Sequence, residues 1–153
     1  MEKATFAAGC FWGVEAEFMN VKGVASTSVG YTGGNFKNPT YGDVSTDRTG
    51  HAEAVQIEFD PVKVSYEKLL DVFWRLHYPG QLKGHDPYIG THYRSAIFYH
   101  NEQQKKKAIA SKEKLQKMYN SKIATEIVPA KEFYKAEEFH QRFLEKRGLK
   151  NMC

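Results

Sequence analysis

A change of apolar period at Gly9-Cys10 constrains this chain more than any other feature of its sequence. Ala4 to Ala8 is short and apolar enough for a buried strand, whereas Phe11, Val14, Phe18 and Met19 fall near helical spacing. Gly9 and Cys10 therefore lie where a strand hands over to a helix. A thiol there is set up to react, because the first helical turn has unpaired N–H groups and the positive end of the dipole. Both favour thiolate over thiol and lower the pKa from about 8.5. The only other cysteine, Cys153, follows the soft run Gly148 to Met152. One cysteine at a helix start and one on a terminal tail suggest a nucleophile and a mobile partner. A small secreted protein would carry more cysteines at closer spacings.

Further along, Val24 to Tyr31 is β-branched and small and ends in the turn residues Gly33-Gly34. An irregular stretch to about Gly50, containing Asn38-Pro39-Thr40-Tyr41, has the character of a surface site loop. His51 to Asp60 alternates, putting His51, Glu53, Val55, Ile57 and Phe59 on one face and Ala52, Ala54, Gln56 and Glu58 on the other. Glu53 thus points with the apolar set. Ser65 to Leu76 has amphipathic helical spacing with Ser65 as N-cap. A second irregular stretch, Tyr78 to His92, precedes a strand at Ser95 to Tyr99. A polar helix over about Glu102 to Met118, a strand at Thr125 to Val128 and a last helix at Ala136 to Lys146 complete the chain, with Phe139 and Phe143 one turn apart. This order predicts an α+β fold, a mixed central sheet with helices packed against it and long irregular site loops.

At 153 residues, 41% hydrophobic and 14% aromatic, the chain has enough apolar material for one domain with its own core. A formal charge of +4, from 22 basic against 18 acidic residues, is too mild and scattered to argue for nucleic acid. The run Lys105-Lys106-Lys107 lies in the polar helix and reads as a solvated face. Met1-Glu2-Lys3 runs straight into a strand, and no eighteen consecutive apolar residues occur, so the expectation is a cytoplasmic protein without a membrane partner.

Five motifs, GCFWGVE at 9–15, GYTGG at 30–34, NPTY at 38–41, TGHAE at 49–53 and GTHYRSAIF at 90–98, occur in this order. Together they resemble the A-type peptide-methionine sulfoxide reductases over almost the whole chain. The resemblance implies a single such domain over residues 1–153, an α/β plait of ferredoxin-like type, and a mobile tail from about 147. It also implies reduction of the S epimer of methionine sulfoxide, free or in proteins.

The residues matching the family's motifs take roles that fit their chemistry. Cys10 matches the nucleophile. A sulfoxide is a poor electrophile unless its oxygen is protonated or hydrogen-bonded, so the site also needs an acid and donors. Glu53 matches the acid, and burial, which raises a carboxyl pKa, keeps its proton available near neutrality. Tyr41 and Tyr93 match the donors to the sulfoxide oxygen, being protonated at neutral pH. Phe11 and Trp12 match the pocket for the substrate methyl group. Since consecutive residues do not both face one core, one of this pair is expected to be an exposed aromatic beside the thiol. The family's aspartate would fall in the register of Tyr88; Asp86, two residues earlier, serves in its place only if the loop follows a different path. His92 stands in the THY motif without an assigned role. Cys153 corresponds to a resolving cysteine, condensing with a Cys10 sulfenic acid to a disulfide.

The disulfide implies a dithiol reductant, for the family thioredoxin, and no metal or organic cofactor. A monomer suffices, with oxidised proteins and free methionine sulfoxide as partners. Six histidines include no H-x-x-x-H pair, so zinc has little support. A second enzymatic reading makes Cys10 the nucleophile of a Cys-His acyl transferase or hydrolase, with His51 or His140 as base, and leaves Cys153 idle. A third takes the Gly30 to Gly34 turn and the helix start as an anion-binding module, although the run lacks the P-loop lysine and spacing.

Overall fold

The computed structural model describes residues 1–77, 79, 84–85 and 88–148. In chain order these form β1 (Glu2–Ala8), α1 (Phe11–Met19), β2 (Val24–Thr32), α2 (Tyr41–Ser45), β3 (Ala52–Phe59), α3 (Tyr66–Arg75) and the short strands β4 (Gly84–His85) and β5 (Tyr88–Ile89). There follow β6 (Ser95–Tyr99), α4 (Glu102–Gln116), β7 (Glu126–Pro129), β8 (Tyr134–Lys135) and α5 (Phe143–Lys146). Single 3-10 turns span Thr91–Tyr93 and Glu138–His140.

Six of the described strands make one mixed sheet in the order β7-β6-β1-β3-β2-β8, and β4 and β5 pair separately. Every pair in the large sheet is antiparallel except β6 with β7. That parallel pair needs a crossover, and α4 supplies it. β1 lies between β3 and β6, so the strand ending at the cysteine is held by ladder bonds on both edges. The fold is α+β, as the order of elements predicted.

α1 and α3 pack on one face of the sheet around Phe6, whose ring stacks on Phe18 at 5.2 Å, Phe73 at 5.3 Å and Tyr66 at 5.9 Å. α3 begins at Ser65, whose hydroxyl accepts the Lys68 N–H, as the sequence indicated. β3 departs from the expected single buried face. Ala52 and Ala54 are as buried as Val55 and Ile57, forming a second small core with Ala7, Ala96 and Phe98. Val128, Ala130 and Phe133 cover this reverse face, so the strand turns polar only at Gln56 and Glu58.

Two predicted segments are rebuilt by local and tertiary bonds. The loop before Gly50 contains α2, started by a reciprocal capping box: Thr40 accepts the Asp43 N–H while the Asp43 carboxylate accepts the Thr40 N–H. The last helix is not continuous over Ala136 to Lys146. Arg142 sits at φ 53°, and its N–H is taken by Glu15 at 2.7 Å instead of a helical carbonyl. The Gln141 amide, buried, accepts from Val29 N–H and donates to Val29 and Ala136 carbonyls, all at 2.9 Å. The C-terminal segment is therefore fastened to β2 and α1 by side chains.

Candidate active site

The corner between β1 and α1 is made by Gly9, at φ +97°, a conformation that costs an L side chain about 1–2 kcal/mol. Cys10 follows as N-cap in an extended conformation, 7% exposed. Its thiol makes no capping bond. The first amide of α1, Phe11 N–H, instead donates to Glu53 Oε1 at 3.2 Å. α1 carries no acidic residue in its own first turn, so a carboxyl from β3 meets the positive end of the helix. Glu53 is 1% exposed, in agreement with the alternation that turned it inward.

Tyr41 opens α2 and Tyr93 closes the Thr91–Tyr93 turn, and their phenols are hydrogen-bonded, Tyr93 donating. Burial, then the Glu53 charge, pushes both phenol pKa values up, with the Cys10 charge adding to the effect. Both hydroxyls stay protonated far above neutrality. Four segments of the chain thus bring Cys10, Glu53, Tyr41 and Tyr93 within electrostatic reach of one another.

The aromatic wall divides its two members. Phe11 is 1% exposed and packs against Tyr31 at 5.7 Å, His140 at 5.3 Å and Tyr41 at 6.4 Å. Trp12 is half-buried rather than an exposed spare: one indole face stacks on Phe143 at 3.7 Å, and its N–H donates to His140 Nδ1 at 3.0 Å. The Arg147 guanidinium lies over the far face of Phe143 at 3.7 Å.

Loop position is set by Glu137 and Asp47, which the sequence did not single out, together with His92 and Gly34. Glu137 accepts the Tyr31 hydroxyl at 2.9 Å and the Tyr41 N–H at 3.0 Å. Burial alone would raise its pKa, but these bonds, with one from its own amide, bring it below the ordinary value. Asp47 accepts from the Thr91 hydroxyl and the His92 N–H, tying the α2 loop to the turn that carries Tyr93. Although burial works against it, these bonds hold the Asp47 carboxyl down at about 2. His92, packed on Tyr93 at 4.1 Å, belongs to this tie through its 3.3 Å contact with Asp47. Gly34 leaves no room for a side chain: a Cβ there would stand 2.4 Å from the backbone at Thr49 and His51, which locks the GYTGG and TGHAE motifs together. Only the capping pattern Thr40-x-x-Asp43 was a local signal for any of this.

The acyl-transfer reading lacks its base. His51 Nδ1 accepts the Gly34 N–H at 3.1 Å and Nε2 bonds the Phe36 carbonyl at 2.7 Å, while His140 Nδ1 is taken by Trp12. Asp86 and Cys153 lie outside the described residues, and Tyr88 contributes its backbone to β5. Among the described residues no helix is long and apolar enough to cross a membrane.

A thiol at a helix start, a buried carboxyl beside it, two phenols and an aromatic wall thus lie together at the start of α1. The family model described as peptide methionine sulfoxide reductase matches residues 2–153, and the chain belongs to that family. A peptide methionine sulfoxide reductase MsrA from Methanosarcina acetivorans is 58% identical over 97% of this chain and 80% of its own length. The crystal structure of Mxr1 from Saccharomyces cerevisiae in reduced form superposes with a TM-score of 0.93 at 34% identity, covering 99% of this chain and 88% of that one. Mxr1 in complex with Trx2 matches at 0.67 and 29% identity, over 90% and 81% of the two chains.

Proposed function

We propose that this protein reduces the S epimer of methionine sulfoxide, in proteins or free, with Cys10 as nucleophile and a dithiol protein of the thioredoxin type as final reductant. The observation that carries the reading is the meeting of Cys10, Glu53, Tyr41 and Tyr93 at the start of α1. The substrate methyl lies against Phe11 and Trp12, and its oxygen takes hydrogen bonds from Tyr41 and Tyr93. Cys10 sulfur attacks the sulfoxide sulfur while Glu53, a buried acid, delivers a proton to the oxygen. The substrate S–O bond then breaks with the oxygen passing, as hydroxyl, to the Cys10 sulfur, and the bond between the two sulfurs breaks with its electron pair returning to the substrate, so that methionine leaves and Cys10 becomes a sulfenic acid. Cys153 thiol then attacks the Cys10 sulfur, forming the Cys10–Cys153 disulfide and releasing water. A dithiol reduces that bond and is itself oxidised to a disulfide.

The complex of the yeast relative with Trx2 supports thioredoxin as that donor. Two cysteines used as a redox pair fit a reducing compartment, the cytoplasm. The strand order β6-β1-β3-β2, with α1 and α3 as crossovers, supports a ferredoxin-like plait in one domain. One chain carries Cys10, Glu53, Tyr41 and Tyr93, so a monomer suffices for this chemistry.

The test is a mass measurement after one equivalent of a methyl sulfoxide. The expected result is a loss of two hydrogens with a Cys10–Cys153 cross-link, and a Cys153→Ser chain that completes one turnover and is not recycled by thioredoxin. Full recycling of Cys153→Ser would remove Cys153 from the cycle.

A further inference from the structure

His140 is 1% exposed and faces the aromatic wall, with its ring 4.6 Å from that of Tyr41 and 5.3 Å from that of Phe11. An indole N–H is a donor only, so the 3.0 Å bond from Trp12 makes His140 Nδ1 an acceptor and leaves its proton on Nε2. Nε2 is buried and has no hydrogen-bond partner among the described residues. An imidazolium needs acceptors at both nitrogens, and here one nitrogen faces another donor while the other faces no acceptor among the described residues. Protonation of His140 and the Trp12 bond therefore exclude each other.

We infer that His140 is a positioning residue for the methyl-binding wall, holding the Trp12 indole only while the imidazole is neutral, so that its protonation releases the indole and weakens substrate binding. This rests on the reading of Trp12 as part of that wall.

The groups around the ring set where the change occurs. α1 presents Phe11 and Trp12, neither of which titrates, and α2 presents the Tyr41 ring. β2 acts through Tyr31, whose hydroxyl donates to Glu137. From its own segment, the Glu137 carboxylate favours the imidazolium, Glu138 is paired with Lys146 at 3.9 Å, and Arg142 follows. α5 presents Phe143 with Arg147 beyond it. Burial outweighs Glu137, and the His140 pKa lies below its ordinary 6.5. The wall is thus intact at neutral pH and loosens on acidification.

Two titrations on the intact chain test this. The chain has two indole N–H groups, and that of Trp74, which donates to Ser111 Oγ at 2.8 Å, serves as internal reference in a proton–nitrogen correlation spectrum. Between about pH 7.5 and 4.5 the Trp12 signal is expected to move through one midpoint below 6.5 while that of Trp74 stays. KM for methyl p-tolyl sulfoxide should rise about tenfold over the same midpoint, with kcat changing less. His140→Gln, which offers a carbonyl acceptor and does not titrate, should keep KM near the unsubstituted value and flatten its pH profile. His140→Leu should raise KM about tenfold at neutral pH. A Trp12 signal insensitive to pH, or a His140→Gln enzyme whose KM still titrates, would overturn the inference. Trp12→Phe separates the two layers: if it raises KM while the wild-type indole fails to titrate, His140 alone is misassigned. If Trp12→Phe leaves KM unchanged, the wall itself is misread and the inference falls with it.

Discussion

The β1–α1 corner and the segment from Ala136 to Arg147 both border the site, but different forces hold them. The corner is fixed by ladder bonds on both edges of β1 and by the turn at Gly9, with Phe6 buried beneath it. The C-terminal segment has only two short helical pieces and hangs from individual side chains: Glu137 on Tyr31 and Tyr41, His140 on Trp12, Gln141 on Val29, and Glu15 on Arg142. Periodic backbone positions Cys10, and buried polar bonds position the aromatic wall. Such bonds are strong where satisfied and costly when one partner is removed.

Changes at the corner should alter chemistry. Cys10→Ser should abolish turnover of a methyl sulfoxide with stability nearly unchanged, measured by steady-state rate and thermal melting; retained multiple turnover would contradict the mechanism. Glu53→Gln should lower kcat by about 10²-fold with a smaller change in KM, read in single-turnover experiments. An unchanged chemical step would free Glu53 from the role of acid.

Changes in the hung segment should alter stability, substrate binding or recycling before they alter the chemical step. Gln141→Ala leaves the buried Val29 N–H without its acceptor, while the Val29 carbonyl keeps the Ala136 N–H, and should cost about 1–3 kcal/mol in a denaturant titration. A loss as large in kcat as in stability would erase the distinction between the regions. The smallest effect expected is with pH. The carboxyls of Asp47 and Glu137 are held below their ordinary values, so their contribution is complete above about 4.5 and declines on acidification, for Asp47 as pH passes through about 2. Asp47→Asn should flatten that acid decline, and an unaltered profile would show that the tie between Asp47 and the Thr91–Tyr93 turn carries no stability.

The same division explains what could be read from the sequence. β1, α1, α3 and α4 were legible because period and caps are local properties of the chain. Glu53 was legible twice, in the motif and in the β3 alternation. Tyr41 and Tyr93 were legible only by motif, since neither lies in a periodic element of useful length. The break at Arg142 was not legible: Phe139 and Phe143 keep helical spacing, but the backbone follows Glu15 and Val29, distant in sequence. Phe139 ends up more than half exposed while Phe143 stacks on the indole. Buried Ala52 and Ala54 needed knowledge of what covers the reverse face of β3. Asp47, Glu137 and His140 act on partners far along the chain and left no local pattern.

Past the Glu15 clamp on Arg142 the chain carries two exposed basic residues, Lys146, which reaches Glu138, and Arg147, whose guanidinium covers Phe143. These are sites for a trypsin-like protease, and a cut there leaves the sheet, α1 and the wall through Phe143 intact while detaching Cys153. On the proposed cycle, nicking would turn a recycling catalyst into a reagent spent after one event, with its Cys10 sulfenic acid left to external thiols.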